Sequence, residues 1–260
     1  MSSQESSTQF NALAPHYDEL MRVVPYDAWA DYVLTLFALV EHHPQRVLDC
    51  ACGTGNVTFE LAKHGMHMTG VDLSAHMIDV ARAKLRETES GDSTALIRFF
   101  QADLAEFDLG ETFDAATCLY DSLNYILDPA KLQASFGRIA AHMELGGVFV
   151  FDMNSEYALM ADLFTQRETS PTRRLHYDWR AKFERESKIC TVTMRFERQA
   201  ADGSMEVFHE KHRERAYSLH EIETMLAATG WNLLYTFDAY TLNRPHDRSE
   251  RWYFVARRSD

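Results

Sequence analysis

Asp49-Cys-Ala-Cys-Gly-Thr-Gly-Asn56 joins the apolar run Arg-Val-Leu-Asp-Cys to a helical pattern running from about Val57 to His64. The order strand, glycine turn, helix decides how the rest of the chain is read. Glycines at the end of a strand let the backbone turn sharply and approach a ligand closely. Three ligand classes compete for such a turn. Cys50 and Cys52 alone do not complete a tetrahedral thiolate site, and Cys118 and Cys190 show no matching spacing, so no metal is expected. A P-loop needs a lysine that Gly53-Thr-Gly-Asn-Val-Thr-Phe-Glu60 lacks. In a dinucleotide fingerprint Gly53 and Gly55 fit, but Thr58 stands where the third glycine belongs. Asp72 lies 17 residues past Gly55, near the spacing at which a carboxylate accepts hydrogen bonds from a ribose diol.

Outward from the turn, strands and helices alternate. Trp29, Tyr32, Val33, Leu36, Phe37 and Val40 form a helical stripe before it, with Asp27 as the expected N-cap. After it come a strand ending at Asp72 and Leu73, then a helix capped by Ser74 with Met77, Ile78, Ala81 and Leu85 on one face. Two further strands precede a helix with Asp128 as cap, Pro129 in its first position and a stop at Gly146-Gly147. Val148–Met153 reads as a fifth strand. Repeated βα units predict a parallel sheet covered by helices on both faces. From about residue 165 the period changes to two, and Asp202-Gly203 marks a turn. Residues 165–216 are therefore expected to form an antiparallel insertion, a lid or substrate subdomain. Ser218 and Glu221 then form a capping box for a helix ending at Gly230, and two last strands form an edge hairpin. Residues 1–9 are expected to be a disordered tail.

The chain has 260 residues, enough for one large domain with an embedded subdomain. Residues 1–164 carry 9 Lys+Arg against 24 Asp+Glu, a net of −15, and residues 165–260 carry 17 against 15, a net of +2. So acidic a core argues against broad nucleic-acid contact. No apolar run approaches a membrane span, no signal core opens the sequence, and four cysteines make no disulfide scaffold. The cytoplasm is the expected compartment, with a small molecule as partner and a monomer or homodimer as the assembly.

Val47–Asn56, then Gly70-Val-Asp-Leu-Ser74, Gln101-Ala-Asp-Leu-Ala-Glu-Phe107 and Phe113–Tyr125 resemble the ordered motif set of class I S-adenosylmethionine-dependent methyltransferases. The resemblance covers roughly residues 10–160 and the C-terminal strands. It is most similar to the small-molecule branch with a β-rich insertion. It implies a Rossmann-like, doubly wound, mostly parallel seven-stranded sheet in α/β class, formed by residues 10–164 and 217–260. It also implies S-adenosyl-L-methionine as cofactor. By position in the motifs, Gly53 and Gly55 would lie under its methionine part and Asp49 near its amino group. Asp72 would take the ribose, Leu73 and Met77 would pack on adenine, and Asp103, beside Leu104, would accept from the adenine amine. Leu119 would face the reacting methyl, and Tyr17, with Trp29 in the same wall, would close over the site. Ala51 replaces a glycine common in the family, for which a modest local adjustment is expected.

Methyl transfer from a sulfonium needs alignment and dryness more than a fixed catalytic triad. Asp121, Asn124 and Tyr125, after the fourth strand, are the residues expected to hold the acceptor. His209 and His212 are possible proton acceptors, but positions three apart in a strand face opposite ways, and a surface role for both is the simpler expectation. Two other readings stay open: a nicotinamide-dependent oxidoreductase, disfavoured by Thr58, and a protein that binds the cofactor without turnover or acts on a macromolecule.

Overall fold

The computed structural model describes residues 9–88, 97–170, 173–199 and 202–259. The expected tail at 1–9 lies, apart from Gln9, outside these residues. The helices are α1 (Tyr17–Leu20), α2 (Tyr26–Leu39), α3 (Asn56–Ala62), α4 (Ala75–Thr88), α5 (Pro129–Ala141), α6 (Glu156–Met160) and α7 (Leu219–Ala228). The strands are β1 (Arg46–Cys50), β2 (His67–Asp72), β3 (Ile97–Gln101), β4 (Phe113–Cys118), β5 (Met143–Asn154), β6 (Gln166–Glu168), β7 (Leu175–Glu184), β8 (Ile189–Gln199), β9 (Met205–Arg215), β10 (Trp231–Asp238) and β11 (Arg251–Arg258).

Seven strands form one sheet in the order β10-β11-β5-β4-β1-β2-β3, with β1 to β5 parallel and β11 antiparallel to both its neighbours. Period two in the strands sends side chains to two cores. Val47, Ala115, Val148, Val150 and Val255 pack on one face with Val33, Phe37, Leu61 and Ile78 of α2 to α4. Leu48, Ala116, Phe149, Phe151 and Phe254 pack on the other with α5 and α7 through Phe136, Ile139, Ile222 and Leu226. The strand order reverses at β1/β4, so the crevice at the carboxyl ends of these strands is where this architecture binds ligands.

Strands β6 to β9 form a separate four-stranded antiparallel sheet in the order β6-β7-β8-β9. Its aromatic residues Tyr177, Trp179, Phe183, Phe196 and Phe208 pack around Cys190, Val192 and Met194, together with Leu13 from the N-terminal segment.

Local signals fared unevenly. Asp128 caps α5 by accepting from the Ala130 amide, and the Ser218–Glu221 capping box is formed at α7. Asp27 does not cap α2: the helix starts at Tyr26 after Pro25, and Asp27 sits in the first turn, where its charge suits the helix dipole. Gly146-Gly147 does not stop α5, which ends five residues earlier at Ala141. The pair lies inside β5, where a Cβ on Gly147 would come within 2.9 Å of two backbone carbonyls.

Candidate functional site

A cavity of about 490 Å³ opens at the carboxyl ends of β1, β2 and β4, a size suited to a cofactor-sized ligand. Its floor is the glycine turn. Ala51, Gly53 and Gly55 all have positive φ, of 54°, 55° and 81°. Ala51 thus takes the left-handed conformation outright, at a cost of about 1–2 kcal/mol that glycine would not incur. A Cβ on Gly53 would meet nothing within 4 Å, because that face of the turn is open to the cavity. Gly55 is different. It does not line the cavity, and a Cβ there would lie 2.7 Å from the Phe99 ring, so its absent side chain serves the close packing of turn and sheet.

Asp72 ends β2 on the cavity wall. Its Oδ2 accepts from the Gly53 amide at 2.8 Å and its Oδ1 from the Ser74 amide at 2.8 Å, which fixes both oxygens at the rim. Each oxygen keeps a lone pair for a ligand. Asp49 lies deeper, held by the Thr58 hydroxyl at 2.5 Å and the Thr117 hydroxyl at 2.9 Å. Thr58, which breaks the dinucleotide fingerprint, is thereby one of the two residues that position Asp49. Burial pushes the Asp49 carboxyl up to about 6, with the two hydroxyls opposing the rise. A folded value above the unfolded 3.8 means that Asp49 contributes its full stability below pH 3.8 and loses it as pH rises through 6. The gap corresponds to roughly 3 kcal/mol of cost at neutral pH. Asp49→Asn is therefore expected to raise the urea midpoint at pH 7.5 and to leave it nearly unchanged at pH 4. A lower midpoint at pH 7.5 would show that ionised Asp49 stabilises the fold.

At the far wall Asp103 accepts from the Ala105 amide at 3.0 Å and pairs with Lys131 at 2.7 Å, beside Leu104, Leu73 and Met77. Leu119, Trp29, Tyr120, Ser122 and Tyr125 line the opposite end, with the Trp29 and Tyr120 ring centroids 5.1 Å apart. The N-terminal segment crosses above. Asp18 accepts from Thr54 at 2.6 Å, Asn56 at 2.9 Å and Lys84 at 2.8 Å, which latches the segment to the glycine turn. Burial opposes ionisation of Asp18, but these donors outweigh it and hold its carboxyl low. Glu210 on β9 accepts from the Phe10, Ala12 and Leu13 amides at 3.0, 2.9 and 3.0 Å. The segment is thus a strap between the two sheets, and it brings Tyr17 into the cavity wall.

Tyr17, Trp29, Asp49, Ala51, Gly53, Asp72, Leu73, Met77, Asp103, Leu104, Leu119 and Tyr125 all line this cavity, and Gly55 does not. Two residues expected to hold the acceptor are corrected as well. Asn124 is fully buried: its amide donates to the Asn154 and Arg215 carbonyls and accepts from the Asn154 amide, clamping the two sheets together. Asp121 is buried in an ion pair with Arg251 at 2.6 Å and lies outside the cavity lining. His209 is exposed as expected, whereas His212 is buried beneath Tyr125. Sequence reasoning missed Asp18, Lys131, Tyr120 and Glu210. Tyr120 follows Leu119 directly and was within reach of the motif. Asp18 and Glu210 carried no local signal.

The fold and the site define an α/β protein whose switch-point crevice presents a glycine turn and a strand-end carboxylate, the arrangement of a nucleoside-cofactor enzyme. The family described as "Methyltransferase domain" matches residues 47–147. A protein of Geobacillus sp. (strain WCH70) bearing the name of a methyltransferase is 31% identical over 250 residues, covering 96% of this chain and 99% of its own. The crystal structure of an S-adenosylmethionine-dependent methyltransferase from Clostridium acetobutylicum ATCC 824 superposes with a TM-score of 0.83 at 30% identity, covering 96% of this chain and 99% of that one. A dTDP-3-amino-3,6-dideoxy-alpha-D-glucopyranose N,N-dimethyltransferase of Streptomyces fradiae is 34% identical over 120 residues, 45% of this chain and 44% of its own. A second family, described as "Activator of Hsp90 ATPase homolog 1-like protein", matches residues 124–238. That stretch runs from the clamp at Asn124 through both sheets into β10, so it is no single structural unit here. The chain belongs to the class I S-adenosylmethionine-dependent methyltransferases. Among the described residues no helix is long and apolar enough to cross a membrane.

Proposed function

We propose that this methyltransferase acts on a nitrogen or oxygen of a small molecule held between Leu119, Trp29, Tyr125 and the strap. The observation that carries the reading is Asp72, fixed at the cavity rim by the Gly53 and Ser74 amides with lone pairs left for a ribose diol. The donor set suits the rest of the cofactor. Asp49 offers a buried charge to its ammonium, Gly53 and Ala51 a backbone floor, Leu73, Met77 and Leu104 an apolar slot, and Asp103 an acceptor for the adenine amine. When bound, S-adenosylmethionine supplies a methyl group already electrophilic on its sulfonium. The chain's own work is to align an acceptor behind that methyl and to exclude water. Tyr17 and Phe10 of the strap cover the cavity, and the 165–216 insertion anchors the strap, which is how it acts as a lid. An amino sugar is the first acceptor to try, because the Streptomyces fradiae relative is named for one. Unpaired Cys50, Cys52, Cys118 and Cys190 suit the reducing cytoplasm.

Calorimetry tests the cofactor. The protein is expected to bind S-adenosylmethionine and its demethylated product at one site and to ignore NAD. Asp72→Ala should weaken both by about 1.5–3 kcal/mol, roughly 10- to 150-fold, the range for a hydrogen bond to a charged group. A folded Asp72→Ala variant with unchanged affinity would remove Asp72 from the site.

A further inference from the structure

Beneath the acceptor end of the cavity lies a chain of polar groups that cofactor binding does not use. The Tyr125 hydroxyl is 3.2 Å from His212 Nδ1, and His212 Nε2 is 3.2 Å from Glu210 Oε2. His212 is only 2% exposed. A carboxylate can only accept, so Nε2 carries the proton, Nδ1 is left with its lone pair, and the Tyr125 hydroxyl donates to it. That leaves the lone pairs of the Tyr125 oxygen for an N–H or O–H in the cavity. The Phe10 ring, 4.3 Å from the imidazole and 5.4 Å from the Tyr125 ring, closes the junction.

We propose that Tyr125, His212 and Glu210 form a proton relay that takes up the acceptor's proton during methyl transfer and is complete only when the strap is docked. The proposal rests on the methyl-transfer reading above. As the acceptor's lone pair forms its bond to the methyl carbon, the sulfur keeps the electron pair of the bond that breaks. The acceptor's N–H or O–H proton passes to the Tyr125 oxygen, and the Tyr125 proton passes to Nδ1. The resulting imidazolium is balanced by Glu210 and later releases its proton to water. Burial pushes the Tyr125 phenol well up, with Glu214, Asp121, Tyr17 and Tyr120 adding to it, so Tyr125 stays a neutral conduit and never a free phenolate. The charged groups around the relay are Glu210, Glu214 and Arg213 on β9, Asp121 after β4, Asp152 on β5 and Arg251 on β11. Arg251 pairs with Asp121 and Asp152. Val192, opposite His212 on β8, brings no charge. The link to the strap is Glu210 itself, whose oxygens also accept the Phe10, Ala12 and Leu13 amides. When the strap lifts, Glu210 loses those donors and Phe10 leaves the imidazole open to water.

Nitrogen NMR of the full chain with labelled histidine, bound to S-adenosylhomocysteine, reads the relay without turnover. The expected result is a proton on His212 Nε2 and an accepting Nδ1 whose resonance moves in Tyr125→Phe. A proton on Nδ1, or a resonance indifferent to that substitution, overturns the proposal. His212→Gln adds the functional readout, because glutamine can still accept from Tyr125 but cannot take its proton. With dTDP-3-amino-3,6-dideoxy-α-D-glucopyranose as probe, kcat should fall about 100-fold in His212→Gln while S-adenosylmethionine affinity stays within about twofold. A glutamine variant that keeps the parent rate reduces His212 to an orienting group and refutes the relay. Wild-type protein that binds S-adenosylmethionine but leaves this sugar untouched disproves only the choice of acceptor, and the imidazole spectrum then decides the relay. Wild-type protein that does not bind S-adenosylmethionine sinks the underlying reading instead.

Discussion

Arg251→Met should destabilise the protein by about 3–5 kcal/mol, the cost of leaving buried charges without their partner. Arg251 pairs with Asp121 at 2.6 Å and with Asp152, and its guanidinium lies over the Tyr120 ring at 5.2 Å. Asp152 is wholly buried, with one oxygen lacking any partner. Burial already pushes its carboxyl up to about 6 even with Arg251 in place. Glu214, raised by burial and by the charge of Asp121, completes an acidic cluster for which Arg251 is the cation. Tyr120 and Asp121 also have φ of 65° and 50°, a strained pair of left-handed residues. Such backbone persists where surrounding contacts over-determine it, and here the Arg251 contacts to both side chains do so. Without Arg251 the Asp152 and Glu214 carboxyls rise further, because its charge lowers both. They favour the fold below their unfolded values and cost stability as pH climbs through the folded ones. The deficit in the methionine variant is therefore expected to be largest at pH 8 and to shrink toward pH 5. Urea unfolding at the two pH values measures both. Adding Asp152→Asn should restore part of the loss, and a deficit below 1 kcal/mol, or one that grows on acidification, would contradict the account.

What could be read in the sequence divides along a physical line. The parallel sheet and the glycine turn were legible because each is set by a local pattern of strand, turn and helix start within about ten residues; Asp72 and Asp103 were singled out by the family motifs, and both line the cavity. Asn124 was misread because a polar residue in a loop after a strand looks the same whether it faces a cavity or clamps two sheets. Its true partners, Asn154 and Arg215, lie 30 and 91 residues away. His212 was placed at the surface because a histidine in a strand rich in charge usually belongs there. The docking of Phe10 and Tyr125 against β9 covers it. The strap was the least legible element. The Phe10 amide and the Glu210 carboxylate are 200 residues apart, and no periodicity links them.

That long-range anchoring changes what loss of the insertion should do. From the motifs alone, replacing residues 165–216 by a short linker would remove methyl transfer and preserve much of the cofactor affinity, since Gly53, Gly55, Asp72 and Asp103 all lie elsewhere. The structure adds a second loss. The strap rests on the insertion through three amides on Glu210, through Leu13 buried in the small sheet's core, through the His16 ring 5.3 Å from that of Phe208, and through Glu19 3.7 Å from Arg198. Without the insertion the strap keeps the Asp18 latch, the Phe10–Tyr125 ring contact and the contact of the Tyr120 hydroxyl with Met21, and Asp18 is a half-buried side chain whose ion pair to Lys84 contributes at most about 1 kcal/mol. Phe10 and Tyr17 would then spend most of their time away from the cavity, which becomes wet. Turnover is therefore expected to be lost entirely, because alignment and water exclusion disappear together. Cofactor affinity is expected to fall about tenfold or more, because an opened site forfeits contacts to the strap as well as desolvation of Asp49 and Asp72. Calorimetry on a folded linker variant measures the second effect. Parent-like affinity would show that the Asp18 latch closes the strap unaided, and transfer at the parent rate would exclude the insertion as a lid. Between these stands the Asp18→Ala variant of the full chain. It keeps the Glu210 anchorage, so it should lose some cofactor affinity yet retain turnover at saturating cofactor. The contrast between the two variants assigns closure to the small sheet and fine docking to the glycine turn.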